Sequence, residues 1–242
     1  MTISRHVPAL GLLAFAALVF PGAAQAPRPA LAEKTAKEFG IDSFGQIEAV
    51  RYTFTIDFAL GKFSRTWTWE PKTGRVTYES KDKSGQPVKV TYVRSDLASQ
   101  SAEVKDTIEP SFVNDQYWLI FPFHVIWDDS PEVTDKGMAK LPIGKGSAEH
   151  LVVKYPSNVG YTPGDTWELF IGPDHRVREF VYRRGGPKKP SIVIASWTDY
   201  KKAGPLLVAT DHRGTADGKP FRLTFTDVAV KVTGSDAWMA AQ

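Results

Sequence analysis

The chain of 242 residues sets 30 lysines and arginines against 27 acidic residues and contains no cysteine. A formal charge of +3 over that length gives no reason to expect nucleic acid as a partner. The missing thiols exclude disulfides and thiolate chemistry, so stability must come from an apolar core, for which 42% hydrophobic residues and seven tryptophans are available.

Residues 1–26 stand apart. Arg5 and His6 precede an apolar run from Ala9 to Phe20, and Pro21, Gly22 and the small-residue sequence Ala24-Gln25-Ala26 follow. That three-part pattern predicts a secretory signal cleaved after Ala26. The apolar run is about a dozen residues, short of the ~20 that cross a bilayer. No cysteine follows to carry a lipid. Residues 27–242 are therefore expected to form a single domain, periplasmic or secreted, with no transmembrane segment.

Residues 30–39 (ALAEKTAKEF) are rich in helix formers and stop at Gly40. They predict a short helix docked through Leu31, Ala32, Ala36 and Phe39. From Ala49 the period becomes two: Val50, Tyr52, Phe54, Ile56, Phe58 and Leu60 face one way, and Arg51, Thr53, Thr55 and Asp57 the other. This predicts a long strand with one apolar face. Gly61-Lys62 turns it into a second strand carrying Phe63, Arg65, Trp67 and Trp69. Turns at 71–74 and at Ser84-Gly85 lead to strands at 75–80 and 87–94, a four-strand meander.

Residues 96–105 (DLASQSAEVK) are expected to be helical with Asp96 as N-cap. The densest aromatic stretch follows, NDQYWLIFPFHVIWDD at 114–129. Asn114 is a candidate cap, and Tyr117, Trp118, Phe121 and Val125 fall at helical spacing. Pro122 is expected to kink the helix, because it lacks an amide and clashes with the preceding turn. Strands are expected again at 138–141, 150–155, 166–171, 176–183, 191–200, 206–211 and 221–232, separated by glycine and proline turn signals. About ten antiparallel strands with helices inserted mid-chain predict a mainly β (α+β) fold. The expected form is a single highly curved antiparallel sheet, or incomplete β-barrel, with helices packed in its concave side.

An N-terminal helix, a long meander and mid-chain helices behind a cleavable signal resemble the LolA/LolB-like lipoprotein-carrier superfamily over nearly all of residues 27–242. The stretches DQYWLIFPFHVIWDD and YTPGD further resemble other periplasmic proteins of this fold. The resemblance implies a half-barrel closed by helices, with space beneath for an acyl chain or another apolar ligand and no cofactor.

The candidate ligand contacts are then Phe54, Ile56 and Phe58 on the first strand, Trp67 and Trp69 on the second, and Tyr117, Trp118 and Phe121 over the sheet. The expected ligand is a lipid or another elongated apolar molecule. An aromatic run at helical spacing is more often core than site, so the 114–129 segment is either a lid or a plain core layer. Its acidic ends, with no lysine or arginine between Lys105 and Lys136, argue against a helix lying in a membrane. An exposed sheet edge or large apolar patch would instead serve an envelope protein partner.

The alternative class is an envelope enzyme. His124 and Asp128, four residues apart, share a helix face and could pair as acid and base beside Tyr117. His150, His175 and His212 are too scattered to complete a metal site with them. Gly144-Lys145-Gly146-Ser147 separates the lysine and serine that a phosphate loop needs adjacent, and no G-x-S-x-G elbow occurs. Tyr161-Thr162-Pro163-Gly164-Asp165 fits a type II turn. Arg183, Arg184, Lys188 and Lys189 surround Gly185-Gly186-Pro187 at a hairpin tip. They form either a solvated loop or a contact for an anionic headgroup or acidic partner.

Overall fold

The computed structural model describes residues 27–58, 61–158, 160–161, 163–186 and 189–242. The signal-like segment, Leu60, Thr162 and Pro187-Lys188 lie outside the described residues.

Helix α1 (Ala30–Glu38) buries Leu31, Ala32 and Ala36, and Phe39 beyond its end is buried with them. It stops at Gly40, where φ is +97° and a Cβ would clash with the Pro205 carbonyl, so only glycine fits. A 3₁₀ turn (Ile41–Gln46) leads into β1 (Ile47–Phe58). The two-residue period holds there: Val50, Tyr52 and Phe54 are buried, while Arg51, Thr53 and Thr55 are half-buried. Toward its end the strand leaves the dense core, and Ile56 and Phe58 are half-buried. Strands β2 (Gly61–Glu70), β3 (Arg75–Lys81) and β4 (Pro87–Val93) complete the first meander.

After the central helices come β5 (Glu132–Lys140), β6 (Ser147–Lys154), β7 (Thr166–Ile171), β8 (Val177–Arg184) and β9 (Ser191–Ser196). The chain ends with β10 (Thr198–Ala203), β11 (Leu206–Ala216), β12 (Lys219–Val232) and the short β13 (Met239–Ala240). All join one antiparallel sheet in the order β4-β3-β2-β1-β12-β11-β9-β8-β7-β6-β5, with β10 on β11 and β13 on β12. The two halves meet where β1 pairs β12, from Ile47 opposite Val232 to Phe58 opposite Phe221. Strands β4 and β5 are its two ends and do not pair, so the barrel stays open.

The sheet is strongly curved. Strands β12 and β7 stand four places apart, roughly 19 Å in a flat sheet. Yet one side chain of the central helix reaches both: the Trp118 ring lies 4.8 Å from Trp167 on β7 and 6.2 Å from Phe221 on β12. That helix, α2 (Glu109–Trp127), packs in the concave side, and its Phe112 also touches Trp67 and Trp69 on β2. The layout is the one that the resemblance to the LolA/LolB-like superfamily implies. No helix among the described residues is long and apolar enough to cross a membrane.

The segment before α2 departs from expectation. Residues 96–105 are not one helix but a 3₁₀ turn (Arg94–Ser99) and, after a break, the start of a π-helical turn (Val104–Ile108) that runs into α2. Its serines compete for the backbone: the Ser99 hydroxyl donates to the Asp96 carbonyl, and Ser101 accepts the Val104 amide. Ser101, rather than Asp96, therefore acts as the cap. Asn114 is not a cap either, because α2 begins at Glu109 with Pro110 in its first turn, where a missing amide costs little. Pro122 does distort α2, at Ile120, where φ is −126° and ψ is 27°.

Residues 191–200 divide into β9 and β10 around Trp197, whose amide bonds instead to the Arg178 carbonyl. Strand β11 runs on to Ala216 because Asp217-Gly218, both at positive φ, form a tight two-residue turn into β12.

Candidate functional site

Between α2 and the sheet lies an open cavity of about 780 Å³. The alternation of β1 places Phe54, Ile56 and Phe58 on its floor. Strand pairing adds Phe63 opposite Ile56, Arg65 opposite Phe54, and Phe221 opposite Phe58. The Arg65 guanidinium lies over the Phe54 and Phe63 rings at 5.3 and 5.2 Å. From α2, one helical turn brings Val113, Tyr117 and Trp118 to the cavity, and β7 and β8 contribute Trp167 and Tyr182. Trp118 backs onto Trp167, Phe180 and Tyr182, with ring centroids 4.8, 5.5 and 5.4 Å away.

Five of the eight candidate contacts, Phe54, Ile56, Phe58, Tyr117 and Trp118, line this cavity. Trp67, Trp69 and Phe121 do not. Trp67 is fully buried between Tyr78 and Phe112, and Trp69 packs on Phe44 and Phe112. Both pair with the part of β1 that α2 covers, Tyr52 and Val50, whereas Arg65 and Phe63 lie beyond it. Phe121 stacks on Trp167 at 4.1 Å in the layer behind Trp118. Phe63, Tyr161, Trp167, Tyr182 and Phe221 are the aromatic cavity residues absent from the sequence-based candidates. Phe63 shares the face of Trp67 and Trp69, which was its signal. Phe221 becomes visible only through the long-range pairing of β1 with β12.

The mouth is made by three loops held together by carboxylates. Asp165, only 5% exposed, accepts the Gly185 amide at 2.8 Å and the Tyr182 hydroxyl at 2.9 Å. A side chain on Gly185 would strike the Gly164 carbonyl, so two glycine-bearing loops can touch here. Asp217 accepts the Ile192 amide and the Ser191 hydroxyl at 2.8 and 3.0 Å. Those two bonds hold its pKa below the ordinary carboxylate value.

Three further carboxylates fasten α2. Buried Glu109 accepts from the Tyr92 hydroxyl at 2.6 Å, from Arg94 at 2.9 Å and from the Tyr161 hydroxyl at 3.1 Å. Asp115 takes two bonds from Arg65, at 2.6 and 2.8 Å, and one from the Trp67 indole at 2.8 Å. Burial nevertheless pushes its pKa up, against the pull of Arg65. Asp128 accepts the Tyr117 and Tyr155 hydroxyls at 2.6 and 2.7 Å, and its other oxygen lies 2.9 Å from His124 Nδ1.

The structure thus brings His124 and Asp128 together, with the imidazole stacked on Tyr117 at 3.8 Å. They sit across Tyr117 from the main cavity, beside a shallower one of about 520 Å³ walled by Phe44, Trp69 and Trp127. Burial works against the Asp128 carboxylate, but His124 and the two tyrosines outweigh it and its pKa is lowered. The same burial, with the Asp128 charge, pushes both tyrosine hydroxyls well above their ordinary range. The phenols are thereby kept neutral as donors, which suits a structural clasp better than a nucleophile. Among the described residues no group of three or more side chains could hold a metal ion.

No protein-family model matches the chain. No curated protein matches it either. Among solved structures it is similar to a DUF1329 family protein from Desulfovibrio piger, with 9% identity over 87% of this chain and 96% of that one and a TM-score of 0.45. It is also similar to a proposed outer membrane lipoprotein-sorting protein domain from Vibrio parahaemolyticus, with 10% identity, 85% and 95% coverage and a TM-score of 0.41. A third likeness is to the lipoprotein LppX of Mycobacterium tuberculosis, with 12% identity, 84% and 96% coverage and a TM-score of 0.28.

Proposed function

We propose that this protein is a binding module of the cell envelope that holds a lipid or another elongated apolar molecule between its sheet and α2. The observation that carries this reading is the cavity of about 780 Å³, walled by Phe54, Ile56, Phe58, Phe63, Trp118 and Phe221. Its volume lies within the ~300–1,000 Å³ range of small-molecule sites. At roughly 0.8 kcal/mol per buried methylene, a chain of about twelve carbons gains on the order of 10 kcal/mol before the costs of association. Rigid aromatic walls lose little entropy when the chain enters. The signal-like pattern of residues 1–26 supports the envelope as its place of work.

Two measurements test the reading. Native mass spectrometry of protein purified from its own host is expected to show added mass from a retained apolar molecule. Delipidated protein is expected to take up the neutral dye Nile red and release it to dodecanol. Absence of both added mass and dye uptake would reject the binding function.

A further inference from the structure

The mouth of the cavity narrows the class of ligand, an inference that rests on the binding function proposed above. The lining residues Lys189, Asp217 and Lys219 are exposed and Arg184 is half-buried, while Phe54, Trp118 and Trp167 are buried. A chain lying against the aromatic walls therefore carries its head to these loops. The charged groups there differ in what they have left to offer. Each oxygen of Asp165 and Asp217 already accepts a hydrogen bond, and Arg65 is engaged by Asp115.

The cations are in the opposite condition. Most described arginines pair with a carboxylate, including the adjacent Arg183 with Glu168. Arg51 lies over Trp238, and Arg28 donates to the carbonyls of Asp128 and Pro131. Arg184 does none of these. Its Nε donates to the Lys189 carbonyl at 2.8 Å, which fixes the guanidinium on the loop. Its two terminal nitrogens have no hydrogen-bond partner among the described residues, and the same holds for the ammonium groups of Lys189 and Lys219. Three cations with unspent donors thus stand at the mouth of an aromatic-walled cavity, Arg184 and Lys189 within electrostatic reach of Asp217, whose oxygens already accept hydrogen bonds.

We infer that the cavity selects amphiphiles with an anionic oxygen head, a carboxylate or a phosphate monoester, over neutral or cationic molecules of the same chain length. The planar guanidinium of Arg184 can give two parallel bonds to either head, and charge-assisted bonds of this kind are about twice as strong as neutral ones.

The test is displacement of Nile red from the delipidated full chain at low salt by dodecanoate, dodecyl phosphate, dodecanol and dodecyltrimethylammonium, the ionic ones below their micellar concentrations and dodecanol below its solubility limit. Inorganic phosphate alone is a fifth arm. The two anionic amphiphiles are expected to bind about tenfold more tightly than dodecanol, with the ammonium weakest. The advantage of dodecanoate over dodecanol is expected to shrink as salt rises. Arg184→Gln is expected to cut it at least about threefold, and Lys219→Gln to cut it less. The salt series on the parent protein keeps the inference exposed to refutation even where a variant fails to fold.

Equal binding of dodecanoate, dodecanol and the ammonium would overturn the head selection while leaving the cavity's role intact. Dye release by inorganic phosphate alone would overturn it too, by making the mouth a site for a free anion. Failure of every chain to displace the dye would remove the binding function itself, and the inference with it.

Discussion

Truncating Trp118 and Phe121 to alanine, one at a time, distinguishes a cavity wall from packed core. Both side chains leave α2 toward the same strands, and both touch Trp167. Phe121 is fully buried, stacked on Trp167 and absent from the cavity lining. Its loss opens a void where none existed, and Phe→Ala changes of that kind cost about 3–5 kcal/mol. In a domain of this size roughly 2–4 °C accompanies each kcal/mol, so the melting temperature is expected to fall by about 6–20 °C. Trp118 packs on aromatic rings on one side and faces open space on the other, so its loss merely widens a cavity already present. The expected cost lies at the low end of that range, about 3 kcal/mol, because only part of its surface leaves a new void. Loss of the wall should weaken dodecanol or dodecanoate binding by about tenfold, the equivalent of roughly 1.4 kcal/mol of lost contact. Thermal melts followed by circular dichroism, with Nile red displacement on the same samples, give both quantities. Equal destabilisation by the two changes, with ligand binding unaffected in Trp118→Ala, would refute the assignment of Trp118 to a wall.

Other expectations follow from buried charge. His212 is fully enclosed by Trp197, Phe180 and Phe225, and burial lowers its pKa from 6.5 to about 4. The unfolded chain therefore takes up a proton that the folded one refuses, so stability is full above pH 6.5 and declines as pH falls toward 4. The loss is roughly 3 kcal/mol at one pKa unit per ~1.4 kcal/mol, and urea unfolding at pH 7 and 4.5 should find that part of the slope missing in His212→Phe. Asp115→Ala strands the Arg65 guanidinium and the Trp67 indole, and urea unfolding should show a loss of about 3–5 kcal/mol. His124→Gln, remote from the aromatic floor, is expected to retain dodecanol affinity within about twofold by the same displacement assay. Abolition of a catalytic activity in the folded variant would instead favour the enzyme alternative.

Local patterns in the sequence carry the elements whose environment is uniform along their length. The period of two in β1 and the apolar contacts of α1 depend on nearest neighbours in sequence, and both are recovered in the structure. The same period says which face of β2 is apolar but not where along that face α2 will lie. Trp67, Trp69, Phe63 and Arg65 share one pattern, yet the first two are roofed by the helix and the others open on the cavity. Position along a strand relative to a distant helix is a tertiary fact, as is the pairing that brings Phe221 beside Phe58. The helix start was hidden for a different reason, because a π-helical turn runs straight into α2 with no side-chain cap between the two.

The fastening of α2 bears on how a ligand could enter. Glu109, Asp115 and Asp128 tie the helix to three separate parts of the half-barrel: Tyr92 on β4, Arg65 and Trp67 on β2, and Tyr155 at the end of β6. A hydrophobic contact alone would let the helix slide, whereas a buried carboxylate with two or three directed donors fixes its rotation and its height. Lifting the helix would break all three sets of bonds together, so the fastening favours a seated α2 over a hinged one. With all three carboxylates on their partners, the aromatic segment roofs the cavity, and Val113, Tyr117 and Trp118 form part of its wall. On the proposed function passage falls to the mouth, where Asp165 and Asp217 hold the loops through backbone amides and hydroxyls and Arg184, Lys189 and Lys219 line the rim. On the proposed binding function, a tail that enters there leaves its head beside Arg184, Lys189 and Lys219, so the head is read as the tail is buried.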